Sequence, residues 1–165
     1  MLGSGGLADG RAGRTSISLP LAGDEDGGVD QTNAGRLALT VPAKPEAVRV
    51  VRAVMRTWAA SLGIVLDEIE ELCLAIDEAF AGLIAARPAP TSVQVRISST
   101  AAGVEIVVVR DVDAELWPPV SAQTALVRRV LGTLIDDVHF EQTADGPAIH
   151  MVKHRASLAD APPRT

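Results

Sequence analysis

Glu78 and Gly82 lie one helical turn apart if this segment is a helix. The first has a side chain that could perform acid–base chemistry, and the second has none that could hold a metal. A carboxylate such as that of Glu78 can act as a general base and take a proton from a hydroxyl nucleophile. Gly82 has no side chain, so it offers no side-chain ligand to a metal ion. A further carboxylate, Asp111, directly follows an apolar run that is typical of a strand. The alternatives are a solvated Glu on the outer face of a helix and an ordinary turn Asp.

The other potentially reactive residues form no recognisable pattern. The three histidines (His139, His150 and His154) have no metal-ligand spacing and no cysteine partners, so we expect no metal site. The single cysteine, Cys73, lies among apolar residues, which favours a core position over a reactive one. The sequence contains neither a Ser-His-Asp arrangement nor a phosphate-binding loop.

Composition excludes several classes of function. A net charge of −6 and an aromatic content of 2% argue against a nucleic-acid-binding surface, which needs basic patches and stacking rings. No apolar run is long enough to span a membrane, and the first residues lack the pattern of a signal peptide. We therefore expect a cytoplasmic protein that binds neither nucleic acid nor membrane.

The chain divides into one predicted domain and two tails. Residues 1–35 contain nine of the 14 glycines and few large apolar residues, so this segment is predicted to be disordered, with Thr15–Leu21 as its only candidate for structure. Residues 36–155 carry the periodic patterns of a folded domain, and 156–165 form a second predicted disordered tail.

Apolar periodicity over 36–155 predicts the order β-α-α-β-β-α-β-β. This order is typical of an α+β fold, a two-layer α/β sandwich with helices on one face of a mixed sheet. The predicted elements are a strand at Leu37–Val41, a helix from Pro45 to Leu62, a helix from Asp67 to Ile84, a hairpin of Val93–Ile97 and Val104–Val108, a helix at Ser121–Asp137, and strands at Val138–Glu141 and Ala148–Val152.

The segment Leu72–Ile84 resembles the N box of the anti-sigma-factor serine kinases, a branch of the histidine-kinase-like (Bergerat) ATPase superfamily. The resemblance extends over about Arg36–Lys153, and includes Leu39–Ala43 at the first strand and Leu134–Val138 at the end of the third helix. In that family the residue at the Glu78 position is the general base, and an Asn at the Gly82 position holds Mg²⁺. The resemblance also implies that the sandwich is of the histidine-kinase-like ATPase type.

The other nucleotide-binding motifs of the family are degraded. Asp111 stands where the family has an Asp that binds adenine, but Asp113 and Glu115 replace the two glycines that follow it. By count from the end of the third helix, Ala125 and Val127 replace the glycines of the phosphate-binding turn. Side chains at these positions block close approach of a nucleotide. The resemblance therefore implies a protein with no bound cofactor and little or no enzymatic turnover.

The first helix carries the residues that the resemblance assigns to a partner. Arg52 stands at the family position that contacts a sigma factor, Arg49 and Arg56 lie on the same side of the helix, and Glu46 belongs to the same first-helix pattern. The alternative is a solvated helix face whose aliphatic stems cover the edge of the core. The resemblance implies an anti-sigma factor that is a homodimer, sequesters a sigma factor, and is released from it by an anti-anti-sigma partner of the STAS type.

Two other interpretations remain open from the sequence. One is an active serine/threonine protein kinase that uses Mg-ATP, with Glu78 and Asp111 retained, and phosphorylates an anti-anti-sigma factor. The other is a scaffold of the same fold with an unrelated partner.

Overall fold

The computed structural model describes residues 16–18, 35–112, 117–118 and 122–154. Its strands and helices follow the order predicted for 36–155. In chain order they are β1 (Ser16–Ser18), β2 (Arg36–Pro42), a 3-10 turn (Pro45–Ala47), α1 (Val48–Ser61), α2 (Leu66–Ala85), β3 (Ser92–Ser99), β4 (Gly103–Arg110), α3 (Ala122–Leu134), β5 (Asp137–Thr143) and β6 (Gly146–His154).

The strands form one sheet in the order β1-β2-β3-β4-β6-β5. All five neighbouring pairs are antiparallel, so the predicted α/β sandwich is confirmed but the prediction of a mixed sheet is wrong. The reason lies in the α3 connection. It makes β5 parallel to β4, but the hairpin strand β6 lies between these two strands and is antiparallel to both.

The core lies between the sheet and the three helices, and α2 is the central helix because it contacts both α1 and α3. Inward positions alternate along the strands with more exposed ones, as the period of two requires. Burying each such aliphatic side chain contributes about 1.5–3 kcal/mol. The inward residues of the sheet are Leu37, Leu39, Val41, Val93, Val95, Ile97, Ile106, Val108, Ile149 and Met151, and the apolar stripe of α2 includes Ile69, Leu72, Ile76, Phe80 and Leu83.

The ends of the helices follow local chemistry. Pro45 opens the 3-10 turn that leads into α1, and Gly63 adopts a positive φ of 73° just beyond its end. Asp67 and Glu68 lie in the first turn of α2, where the helix dipole favours negative charge. α3 ends at Leu134 rather than at the predicted Asp137, because the backbone N–H of Asp136 already donates to Val152 O and joins the sheet. None of the described helices is long and apolar enough to cross a membrane.

The predicted tails lie mostly outside the described residues. Within 1–35, Ser16–Ser18 pair with β2 as an edge strand, and these residues belong to the part of that segment that the sequence marks as a candidate for structure. The remaining disorder predicted for 1–35, and that for 156–165, stays a prediction.

Candidate functional site

The helices α2 and α3 approach closely where Gly82 faces Val127. A Cβ placed on Gly82 would lie 3.2 Å from Cγ2 of Val127 and 3.4 Å from Cγ1. Val127 is only 4% exposed and belongs to the core cluster. A side chain at position 82 would therefore crowd this valine, which would have to give way by a few tenths of an ångström. The two positions that the resemblance assigns to the magnesium ligand and to the phosphate-binding turn therefore contact each other directly.

Glu78 lies one turn before Gly82 on α2 and is half-buried. It has neither a hydrogen bond nor an ion pair among the residues that the structure describes. A general base is usually held in place by a hydrogen bond and by the group that it deprotonates. No described group of three or more His, Cys, Asp and Glu side chains could hold a metal ion near it or elsewhere.

The carboxylate of Asp111 binds the first residues of β3. Its Oδ1 accepts a hydrogen bond from the backbone N–H of Thr91 at 2.9 Å. Its Oδ2 accepts from the Thr91 hydroxyl, from the Ser92 backbone N–H at 2.9 Å and from the Ser92 hydroxyl at 2.9 Å. A carboxylate has about four lone-pair sites, so these four donors match its capacity. Asp111 thus fastens the end of β4 to the start of β3, which leaves little capacity to bind an adenine amino group.

The hydrogen bonds also change the acidity of Asp111. Partial burial raises the pKa of this carboxyl, but the bonds from Thr91 and Ser92 lower it by more, so the net pKa lies below the ordinary value. The ionised form is therefore the one that the fold stabilises.

Arg110 is the charged residue that enters the space between sheet and helices at this end of β4. It pairs with Val93, lies by alternation on the same face as Val108, and is 0% exposed. Its Nε donates to Val112 O at 3.1 Å and its Nη2 donates to Pro88 O, while Nη1 is buried without a hydrogen-bond partner in the described part of the chain. The guanidinium carbon lies 5.9 Å from the centre of the Trp117 ring. Burial lowers the pKa of Arg110, and the nearby charge of Asp111 opposes that shift.

Sequence reasoning missed Arg110, although a signal was present. The alternation of Ile106 and Val108 places residue 110, not residue 111, on the inner face of β4. Asp111 follows the end of the strand and turns to the neighbouring strand β3 instead. Asp111 and Arg110 are thus adjacent in sequence, but Asp111 binds the start of β3 whereas Arg110 lies on the inner face of the sheet.

The arginines of α1 differ in their availability to a partner. Arg52 forms an ion pair with Asp77 at 3.3 Å, and Arg56 forms one with Glu70 at 2.8 Å, so both side chains bridge α1 and α2. Arg49 is exposed and has no ion pair or hydrogen bond with any described residue. Glu46 is exposed in the 3-10 turn and is likewise unpaired there.

The two ion pairs enclose Cys73, which is buried as the sequence predicts. Burial raises the pKa of the Cys73 thiol, and a hydrogen bond with Arg56 opposes that shift. Burial also raises the pKa of Asp77, against the opposing charges of Arg52 and Arg56, and Oδ1 of Asp77 is buried without a partner among the described groups. The contact between α1 and α2 around Cys73 is therefore bridged by two ion pairs, Arg52–Asp77 and Arg56–Glu70.

A cavity of about 230 Å³ lies at the start of β3 and the end of β4, and its lining includes Asp111 and Arg110 as well as the polar residues Thr40 and Gln94. Thr40 and Gln94 pair across β2 and β3 on the face away from the core. Asp145 at its rim is paired with Arg96 at 2.6 Å. Neither Glu78 nor Gly82 lines this cavity.

The comparison with protein families decides the membership of the chain. The family model described as "Histidine kinase-like ATPase domain" matches residues 41–153, which is more than half of the chain. The protein belongs to the histidine kinase-like ATPase family. Among curated proteins there is no match. The match to the histidine kinase-like ATPase domain runs from β2 to β6, so β1 lies before the part that it covers.

A double-mutant cycle tests the contact between α2 and α3. Val127→Ala should lower the free energy of unfolding by about 1–3 kcal/mol by creating a cavity. Gly82→Ala gains about 0.5–1 kcal/mol of helix propensity, which crowding against Val127 cancels in the wild-type background and which is realised once Val127 is shortened. We expect a favourable coupling of about 1 kcal/mol between the two changes, measured by urea unfolding. Gly132→Ala on α3, where an added Cβ meets nothing within 4 Å, is the control and should add the same amount in both backgrounds. Strict additivity of Gly82→Ala and Val127→Ala would contradict the contact.

The Asp111 network predicts a pH dependence of stability. Because the pKa of Asp111 is lower in the folded state than in the unfolded state, its stabilisation is present above the unfolded pKa and is lost as the pH falls through the folded pKa. Asp111→Asn should cost about 1–2 kcal/mol at neutral pH, at the low end for charge-assisted hydrogen bonds because the site is exposed. The difference from wild type should shrink below about pH 4. Ser92→Ala, which removes one hydroxyl donor, should show the same trend with a smaller loss. A difference that stays constant with pH would be inconsistent with an ionised Asp111.

Proposed function

We propose that this protein is a cytoplasmic anti-sigma factor that sequesters a bacterial sigma factor by direct binding, without ATP turnover. Membership of the histidine kinase-like ATPase family supports the fold that such a function needs. The observation that carries the proposal is the contact between Gly82 and Val127. Through this contact, the buried aliphatic side chain of Val127 packs at the position where the resemblance implies a metal ion and a phosphate.

This contact removes two requirements of phosphoryl transfer at once. The reaction depends on positioning the nucleotide and on neutralising phosphate charge, chiefly through Mg²⁺. Gly82 offers no metal ligand, and Val127 places a side chain where backbone N–H groups would have to meet phosphates. A protein with this site can still act through the surface of its fold, and stoichiometric binding is the activity that remains.

The proposed sigma-factor surface is the exposed side of α1, with Arg49 at its centre. The guanidinium of Arg49 has no partner among the described residues, and such a group can bind a carboxylate in a bidentate manner. Arg52 and Arg56 would have to exchange Asp77 and Glu70 for a partner's carboxylates. Exposed ion pairs of this kind contribute about 0–1 kcal/mol, so the exchange costs little free energy and also gains little. Glu46 lies at the N-terminal side of the same surface. A homodimer and release by a STAS-type anti-anti-sigma partner complete the proposal.

The alternative is an active serine/threonine protein kinase acting on an anti-anti-sigma factor. The observation in its favour is Glu78, whose carboxylate is partly exposed and has no partner among the described residues. Such a kinase would need Mg²⁺ held by an unexpected residue or by phosphates and water alone. Transfer of labelled phosphate from ATP to a purified partner separates the two functions.

Charge reversal at Arg49 tests the proposed surface. The tagged protein is purified from its host without added nucleotide, any sigma factor that accompanies it is identified by mass spectrometry, and the affinity is then measured by calorimetry. Arg49→Glu should weaken binding by about tenfold or more because it places like charges together. Arg129→Glu on α3, across α2 from α1, is the matched control and should bind as wild type does.

Two results would count against this account. The absence of any sigma factor among the bound proteins would favour a scaffold with an unrelated partner. Full affinity of Arg49→Glu would move the contact away from this side of α1.

A further inference from the structure

The outer side of α2 presents two leucines to solvent. Leu66 is 69% exposed and Leu74 is 53% exposed. They lie eight positions apart on one helix, which corresponds to about 12 Å along its axis. The acidic residues around them are Asp67 and Glu70, which are exposed, and Glu78, which is half-buried. We call Leu66, Asp67, Glu70, Leu74 and Glu78 the α2 ridge.

The charge of α2 is entirely negative. Residues 66–85 contain six carboxylates and no Lys or Arg. Glu70, Glu71 and Asp77 are paired with Arg56, Lys153 and Arg52. The other three (Asp67, Glu68 and Glu78) have no ion pair with any residue in the described ranges.

The fold explains only part of this pattern. Asp67 and Glu68 lie in the first turn, where they suit the positive end of the helix dipole. Glu78 lies in the second half of the helix, beyond the reach of that effect. A single exposed leucine needs no explanation, but two on one side of a helix, beside Asp67 and Glu78, which have no ion pair among the described residues, resemble an anchored binding surface.

The negative charge of the α2 ridge limits the kinds of molecule that could bind it. Anionic lipids and nucleic acids would be repelled by the carboxylates. A second copy of the chain, docked by the same ridge, would bring like charges together at the interface. A helix with an apolar stripe flanked by Lys or Arg complements the ridge in both shape and charge.

We propose that the α2 ridge docks a basic amphipathic helix of a partner protein. Leu66 and Leu74 insert into the apolar stripe of that helix, and Asp67 and Glu78 pair with its basic residues. The ridge goes beyond the proposed function, because Arg49 on α1 attracts an acidic surface whereas the ridge attracts a basic one. The two helices thus offer neighbouring surfaces, joined by the Arg56–Glu70 ion pair, to partners of opposite charge.

The test uses a labelled synthetic helical peptide of about 18 residues with leucines at helical spacing and lysines beside them. Its binding to the full chain is followed by fluorescence anisotropy. We expect saturable binding, weakened about tenfold by Leu66→Ser and by Leu74→Ser. Glu78→Lys should weaken binding several-fold and reduce its dependence on salt.

Two controls make the result specific. Leu126→Ser changes a leucine of similar exposure, 57%, that lies on α3 and outside the ridge, so this variant should bind the peptide as wild type does. A peptide with glutamates in place of the lysines should not bind. Thermal unfolding checks that each variant keeps its fold, as expected for exposed positions.

Several outcomes would overturn the proposal. They are failure of the basic peptide to bind wild type, equal binding by the acidic peptide, and equal weakening by Leu126→Ser and the ridge variants. None of these measurements involves a sigma factor, so they stand or fall independently of the Arg49→Glu test.

Discussion

The close packing of α2 against α3 at Gly82 and Val127 is the constraint on which the rest of the structure depends. The absence of a side chain at Gly82 lets Val127 enter the space beside α2 and join the core. The three helices can then cover the sheet as one layer, with α2 in the centre. Interiors are packed as densely as organic crystals, so we expect a contact of this kind to leave little room for a phosphate and its hydrated metal.

A second consequence concerns the polar groups that a nucleotide site would otherwise use. Asp111 accepts hydrogen bonds from Thr91 and Ser92, and so joins the end of β4 to the start of β3. Arg110 occupies the inner face beside Pro88 and Trp117. Asp111, at the position that the resemblance assigns to adenine, and the neighbouring Arg110 thus both make structural connections within the described residues.

Much of the fold could be predicted from the sequence, because local patterns determine its elements. Pro45, Gly63 and the apolar stripe from Ile69 to Leu83 set the helices, and alternating aliphatic residues set the strands. The antiparallel sheet was not predictable in the same way, since the position of β6 between β4 and β5 depends on pairing between distant segments. The end of α3 was misplaced for the same reason, because a bond from Asp136 to Val152 O stops the helix.

The candidate site was predictable in its residue types but not in its contacts. The sequence shows that Gly82 replaces the family's Asn and Val127 replaces a glycine. It does not show that these two residues contact each other, because they lie on helices far apart in the chain. The pairing of Arg52 with Asp77 and of Arg56 with Glu70 was likewise hidden, because helical periodicity places a side chain on a face without naming its partner. Among the three arginines of α1, Arg49 is therefore the one that has no ion pair with the described residues.

Calorimetric titration of the folded chain with Mg-ATP tests whether the Gly82–Val127 contact excludes a nucleotide. The account predicts no heat of binding even at high protein concentration, because the Gly82–Val127 contact fills the site where a nucleotide would bind. Saturable binding in the micromolar range would contradict it. The helices α2 and α3 would then have to separate to admit ATP, and Glu78 would become the first residue to examine as a general base.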